Sequence, residues 1–252
     1  MKRVVLVLVG LVLIGVVIVA AVMGPVFAGL KPLVDGQELP GGAKRINDGY
    51  TSAYLLPQGN GEFALIDCGN DVEAKAIKAA LEKQGLGFAA IKNIFITHAH
   101  PDHTGGCKQF PNATIYVGEG DKALVEGLEP GKGMIPKMAG IQKHLIITNE
   151  KLVKEGDVIE AGELKVRVFI VPGHTAGSAA FLANGSLFVG DSLSIETDGD
   201  KIRAAPSVFS DDSEQNVREI KRLAKAISAE EVKAIVPAHS GEVLGTTTLA
   251  AF

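Results

Sequence analysis

Ile94-Phe95-Ile96-Thr97-His98-Ala99-His100-Pro101-Asp102-His103 is the stretch on which the fold turns: an apolar strand runs straight into three imidazoles and a carboxylate. The chain holds 6 histidines in 252 residues, and packing does not call for three of them within six positions. Imidazole nitrogens and carboxylate oxygens are the donors that zinc and similar borderline cations take, and a strand end is rigid enough to fix their directions. A polar loop with scattered histidines is the competing reading, and it leaves the clustering unexplained.

The same design recurs further along the chain. His174 stands in Val171-Pro172-Gly173-His174-Thr175, His239 in Val236-Pro237-Ala238-His239-Ser240, and Asp191 in Phe188-Val189-Gly190-Asp191-Ser192. Each follows an apolar run. Taken singly, each reads as a capped loop residue; taken together, the repeated strand-then-donor order points to one shared site. Around these motifs the period-2 pattern predicts strands over 50–56, 62–68, 91–97, 113–117, 164–171, 179–183, 186–189 and 232–237. The 3.6 period predicts helices over 72–84, with Ile77 and Leu81 on one face and Gly85 as its stop, and over 213–227. The Gly-rich region 118–140 reads as a helix plus a long loop, suited to a lid or substrate-binding insertion. Strands and helices alternate in two similar halves, as in a duplicated sheet-and-helix unit.

The strings H-x-H-x-D-H at 98–103, P-G-H-T-x-G-S at 172–178, G-D-S-L at 190–193 and P-A-H-S-G at 237–241 occur in the order of the metal motifs of the metallo-β-lactamase superfamily, and the chain resembles that family over about residues 43–240. Ile66-Asp67-Cys68-Gly69 is similar to the family's early Asp-containing strand end. The resemblance implies an α/β fold, a four-layer αββα sandwich with the site at one edge of the sheets. It also implies two divalent metal ions, zinc foremost and iron as the alternative. His98, His100 and His174 would bind the first, Asp102, His103 and His239 the second, and Asp191 would bridge them. Asp67 would stand behind the ligands and orient one of them or the loop; a helix N-cap is the competing role for it. The implied reaction is hydrolysis of a small ester, thioester, lactone or amide by a metal-bridging hydroxide that Asp102 helps to orient. Ser178 and Ser192 read as structural.

Three rivals stand beside this reading: an iron-dependent oxidoreductase like the persulfide dioxygenases, a β-lactamase, and a membrane-tethered binding module without turnover. The 13 residues after His239 are too few for the helical C-terminal domain with which glyoxalase II-type thioesterases hold glutathione. Lys132, Lys137 and Lys143, in or beside the lid, either attract an anionic substrate or are solvated loop charge. His144, before a strand-like stretch at 145–148, receives no role.

At the N-terminus, Lys2 and Arg3 precede an apolar run over 4–23 that carries no charge. About 20 apolar residues span a bilayer as a helix, whereas a secretory h-region is about 7 to 15 long. Residues 1–29 therefore read as a membrane anchor with the catalytic domain extracytoplasmic; the competing reading is a signal peptide cut after Ala28, leaving a secreted or periplasmic chain. Residues 30–42, rich in Pro and Gly, read as a linker, and 43–252 as the catalytic domain. A formal charge of -4 without a long basic run argues against nucleic acid as a partner, and the resemblance implies a small-molecule substrate. Oligomeric state is not legible. The 2 cysteines are too few for a disulfide scaffold; Cys68 reads as a small buried apolar side chain, and Cys107 stays open.

Overall fold

In the computed structural model, residues 24–252 are described. The hydrophobic helix read over 4–23 lies outside them, and among the described residues no helix is long and apolar enough to cross a membrane.

Two six-stranded sheets make the frame. The first runs β1 (Lys44–Asp48), β2 (Thr51–Pro57), β3 (Phe63–Ile66), β4 (Ile91–Ile96), β5 (Thr114–Gly118) and β6 (Lys151–Val153), antiparallel up to β3 and parallel beyond it. The second contains β7 (Val158–Ala161), β8 (Leu164–Ile170), β9 (Ala179–Ala183) and β10 (Ser186–Gly190), a small outlying ribbon of β11 (Leu193–Ile195) and β12 (Ile202–Ala204) follows, and β13 (Ala234–Pro237) and β14 (Val243–Leu244) complete the sheet. Its order is β14-β13-β10-β9-β8-β7, with β10 and β13 parallel.

Side-chain alternation decides which face meets which layer. Tyr54, Leu56, Ala64, Ile66 and Phe95 meet Val166, Val168, Phe181, Phe188 and Val236 between the sheets. The opposite faces are covered outside: Leu55, Leu65, Ile94 and Ile96 pack with Ile77 and Leu81 of the helix Lys75–Glu82. Phe169, Leu182, Leu187 and Ile235 pack with Ile220 and Leu223 of the helix Ser213–Ala226. Burying a side chain such as Ile77 or Leu81 contributes about 1.5–3 kcal/mol, so each helix is held by its apolar stripe rather than by propensity. The result is the αββα sandwich. β9 and β10 are buried along their whole length, as strands covered on both faces must be.

The sequence reading misses β1, β6, β7, β11, β12 and β14, which are short or charged and show no clean alternation. Residues 30–42, read as a linker, lie along the domain: Lys31 N donates to Ile195 O at 2.8 Å, Gly241 N to Lys31 O at 2.8 Å, and Leu39 is buried between the sheets. Cys68 and Cys107 are joined in a buried disulfide, which corrects the reading of Cys68 as a merely packed thiol. His144 sits exposed in the tight turn Lys143–Leu145, not ahead of a strand.

Candidate metal centre

The strands that carry the motifs all end at one edge of the sandwich. β3 and β4 are parallel neighbours, so Asp67 and the 97–103 segment leave the first sheet side by side. In the second sheet β8, β10 and β13 share one direction, because β9 is antiparallel to both β8 and β10 while β13 is parallel to β10. His174, Asp191 and His239 therefore emerge at the same end. The end of β10 passes close to Thr97 at Gly190, whose φ is +54° and where an added Cβ would lie 2.4 Å from Thr97 Oγ1. Only glycine lets the backbone carrying Asp191 pass that close to the residue before His98.

Three imidazoles converge in the first group. His98 Nε2 lies 3.0 Å from His100 Nδ1 and 3.1 Å from His174 Nε2, and the last two atoms are 3.0 Å apart. Three nitrogens facing inward at these distances cannot all be satisfied by one another, because neighbouring lone pairs repel unless a positive charge lies between them. Edges of that length are close to those of a tetrahedral face around an ion with bonds of ~2.0–2.1 Å. The outer atoms fix the tautomers: Ser210 Oγ donates to Pro206 O, so His174 Nδ1–H donates to Ser210 Oγ at 3.3 Å and Nε2 keeps its lone pair inward.

The second group gathers Asp102, His103, Asp191 and His239. His239 Nδ1 donates to Tyr50 O at 2.8 Å, which aims Nε2 at Asp191 Oδ2 (3.0 Å) and Asp102 Oδ2 (3.3 Å). His103 Nδ1 donates to Asp67 Oδ2 at 2.8 Å, which aims Nε2 at Asp191 Oδ1 (3.4 Å) and Asp102 Oδ2 (3.6 Å). Asp191 faces both groups, with Oδ2 also 3.6 Å from His174 Nε2 and 3.9 Å from His98 Nε2. Buried His103 Nε2 and Asp191 Oδ1, both turned into the second group, have no hydrogen-bond partner. Orphaned nitrogens and oxygens of this kind, together with the all-His and His/Asp donor sets, fit divalent cations.

Electrostatics divides the two groups. Burial, reinforced by the neighbouring imidazoles, holds His98 well below the usual histidine range, while burial and His100 hold His174 at about 3. His100 is lowered by burial too, against the pull of Asp102 and Asp191. The second group goes the other way. Burial opposes charge on His103 and His239, but Asp191 and Asp102 outweigh it, raising His103 well above its ordinary value and His239 to about 10. Burial likewise pushes Asp102 and Asp191 up, and His103 and His239 override it, bringing Asp102 to about 2 and Asp191 well below the carboxylate range.

Asp67 is wholly buried and does not cap a helix: besides His103, its carboxylate accepts from Thr97 N at 2.7 Å and Thr97 Oγ1 at 2.8 Å. The backbone bond from Cys68 N to His103 O (2.7 Å) and the disulfide to Cys107 fasten the same corner. Asp121, which the sequence reading passes over, ties the two histidine loops together. Its carboxylate accepts from Ala99 N (2.8 Å), Thr175 Oγ1 (2.8 Å) and Gly177 N (2.7 Å), and burial pushes it up to about 6 against those hydrogen bonds. Ser178 is structural, bonding Thr175 N and Oγ1. Tyr50, which the sequence marks only as a strand residue, stacks on His239 with ring centroids 5.6 Å apart.

The match to a model of the metallo-beta-lactamase superfamily covers residues 46–239, from β1 to the last histidine. The chain belongs to that superfamily, the family of MBL-fold metallo-hydrolases. It is 31% identical over 153 residues to the Bacillus subtilis protein YobT, covering 57% of this chain and 62% of that one. It is 30% identical over 159 residues to a hydroxyacylglutathione hydrolase of Gloeothece citriformis, covering 59% of this chain and 51% of that enzyme. The chain thus spans about half the length of the hydroxyacylglutathione hydrolases it matches. Among solved structures, a B3 metallo-beta-lactamase with an active-site glutamic acid superposes with a TM-score of 0.65 at 19% identity, over 88% of this chain and 87% of that one. A metallo-beta-lactamase family protein from Thermus thermophilus gives 0.62 at 24% identity, over 84% and 78%. These likenesses establish the fold.

Proposed function

We propose that the protein is a hydrolase that uses two divalent cations, zinc foremost, to cleave a small ester, thioester, lactone or amide. The observation that carries this is the meeting of two donor groups across one carboxylate: His98, His100 and His174 on one side, Asp102, His103 and His239 on the other, with Asp191 facing both. Bound there, such ions polarise a carbonyl oxygen and lower the pKa of water towards about 7.

The remaining work falls to the chain. Asp67 and the Tyr50 carbonyl fix the tautomers of His103 and His239, so both present a lone pair rather than a proton once deprotonated. Asp102 lines the cavity above the two groups. With its pKa at about 2 it is too weak a base to hold a proton at neutral pH, so its carboxylate serves to orient a water. Tyr50 also lines the cavity, and burial together with Asp102 and Asp191 raises its phenol to about 12. It keeps its proton at neutral pH, and its hydroxyl donates to Asn70 Oδ1 at 3.5 Å beside the cavity.

The apolar run over 4–23 supports an anchor, and the Cys68–Cys107 disulfide supports an exported domain, since disulfides persist in oxidising compartments. The test is elemental analysis of the purified full chain beside a panel of lactones, thioesters, phosphodiesters and β-lactams. Two zinc equivalents with chelator-sensitive hydrolysis are expected; iron with oxygen uptake would overturn the hydrolase reading in favour of an oxidoreductase.

A further inference from the structure

The cavity that ends on the two donor groups has a volume of about 520 Å³, within the range of small-molecule sites. Part of its apolar lining comes from the chain ahead of β1, through Val26, Phe27 and Leu30, and part from the insertion after β5, through Ile135, Ile141 and Ile146. Phe27 stands edge-on to Tyr50 and His239, at centroid distances of 5.9 and 5.8 Å, so the apolar lining reaches the donor group itself.

Charge is scarce on the cavity walls. Among the described residues, and apart from the donor groups, the charged lining residues are Glu129 and Arg203. The Arg203 guanidinium is already engaged: it donates to Glu196 Oε1 and to the carbonyl oxygens of Pro25, Val26 and Ala28. Lys132, Lys137 and Lys143 do not line the cavity. A carboxylate-bearing substrate entering here would leave water for walls that offer no free cation among the described residues, which is costly.

We propose that the cavity receives the hydrocarbon chain of a neutral acyl ester, thioester or lactone, with the scissile carbonyl at the His/Asp groups and the chain lying against the apolar lining of Phe27, Ile135, Ile141 and Ile146. The proposal deepens the hydrolase reading and rests on it for the reaction alone: the oxygen of water bonds to the acyl carbon, the carbon–oxygen or carbon–sulfur bond breaks, and the leaving oxygen or sulfur takes up a proton. Recognition of the chain is a separate property. Each methylene buried is expected to tighten binding about fourfold, the equivalent of ~0.8 kcal/mol.

Binding is therefore tested with ligands that cannot be hydrolysed. The full chain is held in phosphatidylcholine nanodiscs, with empty discs as the blank, and neutral 2-alkanones of four to ten carbons displace the fluorescent probe N-phenyl-1-naphthylamine. Affinity should climb steeply with chain length. Phe27→Asp and Ile135→Asp should flatten the climb, Phe27→Leu should restore it, and unchanged melting curves identify variants that remain folded. A flat series in the wild-type chain, or S-acyl glutathione binding more tightly than the neutral ketone of equal acyl length, overturns the proposal. Turnover of acyl thioesters is measured in parallel. A steep ketone series without hydrolysis of any thioester or ester supports the acyl site and removes the hydrolase reading; hydrolysis with no dependence of kcat/KM on chain length does the reverse.

Discussion

Asp67→Asn removes one charge and no volume, and the hydrogen-bond geometry dictates its effect. The carboxylate takes three donors: Thr97 N–H on Oδ1, and Thr97 Oγ1–H and His103 Nδ1–H on Oδ2. An asparagine that keeps its oxygen on Thr97 N–H turns its amide NH2 toward His103. Nδ1 must then accept, which moves the imidazole proton to Nε2, the atom aimed at Asp102 and Asp191. The flipped amide instead sets NH2 against Thr97 N–H, a buried donor facing a donor, at a cost of about 1–3 kcal/mol. Neither rotamer presents a lone pair from His103 without loss. Removing a partner that orients a ligand costs about 10–100-fold in metal affinity, or ~1.4–2.7 kcal/mol. The loss should fall on one of the two ions, since His98, His100 and His174 do not touch Asp67. Competition of zinc against a chromophoric chelator reads both affinities. Two sites weakened alike, or a second site unchanged, would refute the tautomer argument.

Asp191→Ala, which removes the one carboxylate shared by both groups, should weaken the second ion and lower turnover about 10²-fold or more, while His144→Ala stays near wild type; equal damage in steady-state assays would make Asp191 structural. Calorimetry in buffers of different ionisation enthalpy should show almost no proton release with the first ion, because His98, His100 and His174 are held low, and about one to two protons with the second, because His103 and His239 are held high. Affinity for the second ion should therefore rise with pH towards about 10, where His239 loses its proton, and a pH-independent affinity would contradict this. Reducing the Cys68–Cys107 bond, which closes a separation of 39 residues, should cost about 3–4 kcal/mol in denaturant unfolding, and an unchanged midpoint would show that the closure adds nothing. The full-length protein should remain with membranes through carbonate washes; a mature chain beginning near Gly29 in the soluble fraction would replace the anchor by a cleaved signal peptide.

The site is legible in the sequence because its parts are local. Each donor stands within a few residues of an apolar run, and strand ends are what bring such residues to one edge of a sandwich. Residues that act across the fold leave no local trace. Asp121 joins Ala99 to Thr175 and Gly177 across more than 20 residues on one side and more than 50 on the other. Phe27 meets His239 from the opposite end of the chain, and Tyr50 reads in sequence only as the start of a strand. Cys68 is legible as buried but not as bonded, since its partner is brought near only when the 101–104 turn folds back on β3. The Pro- and Gly-rich 30–42 stretch has a linker's composition, yet hydrogen bonds to β11 and to the loop after β13 hold it down.

Anomalous diffraction at the zinc edge from crystals of the protein grown with zinc tests the two-cation site most directly. Two peaks are expected, one among His98, His100 and His174 and one among Asp102, His103 and His239, with Asp191 between them. A single peak at saturating zinc, or peaks away from these residues, would contradict the two-cation site.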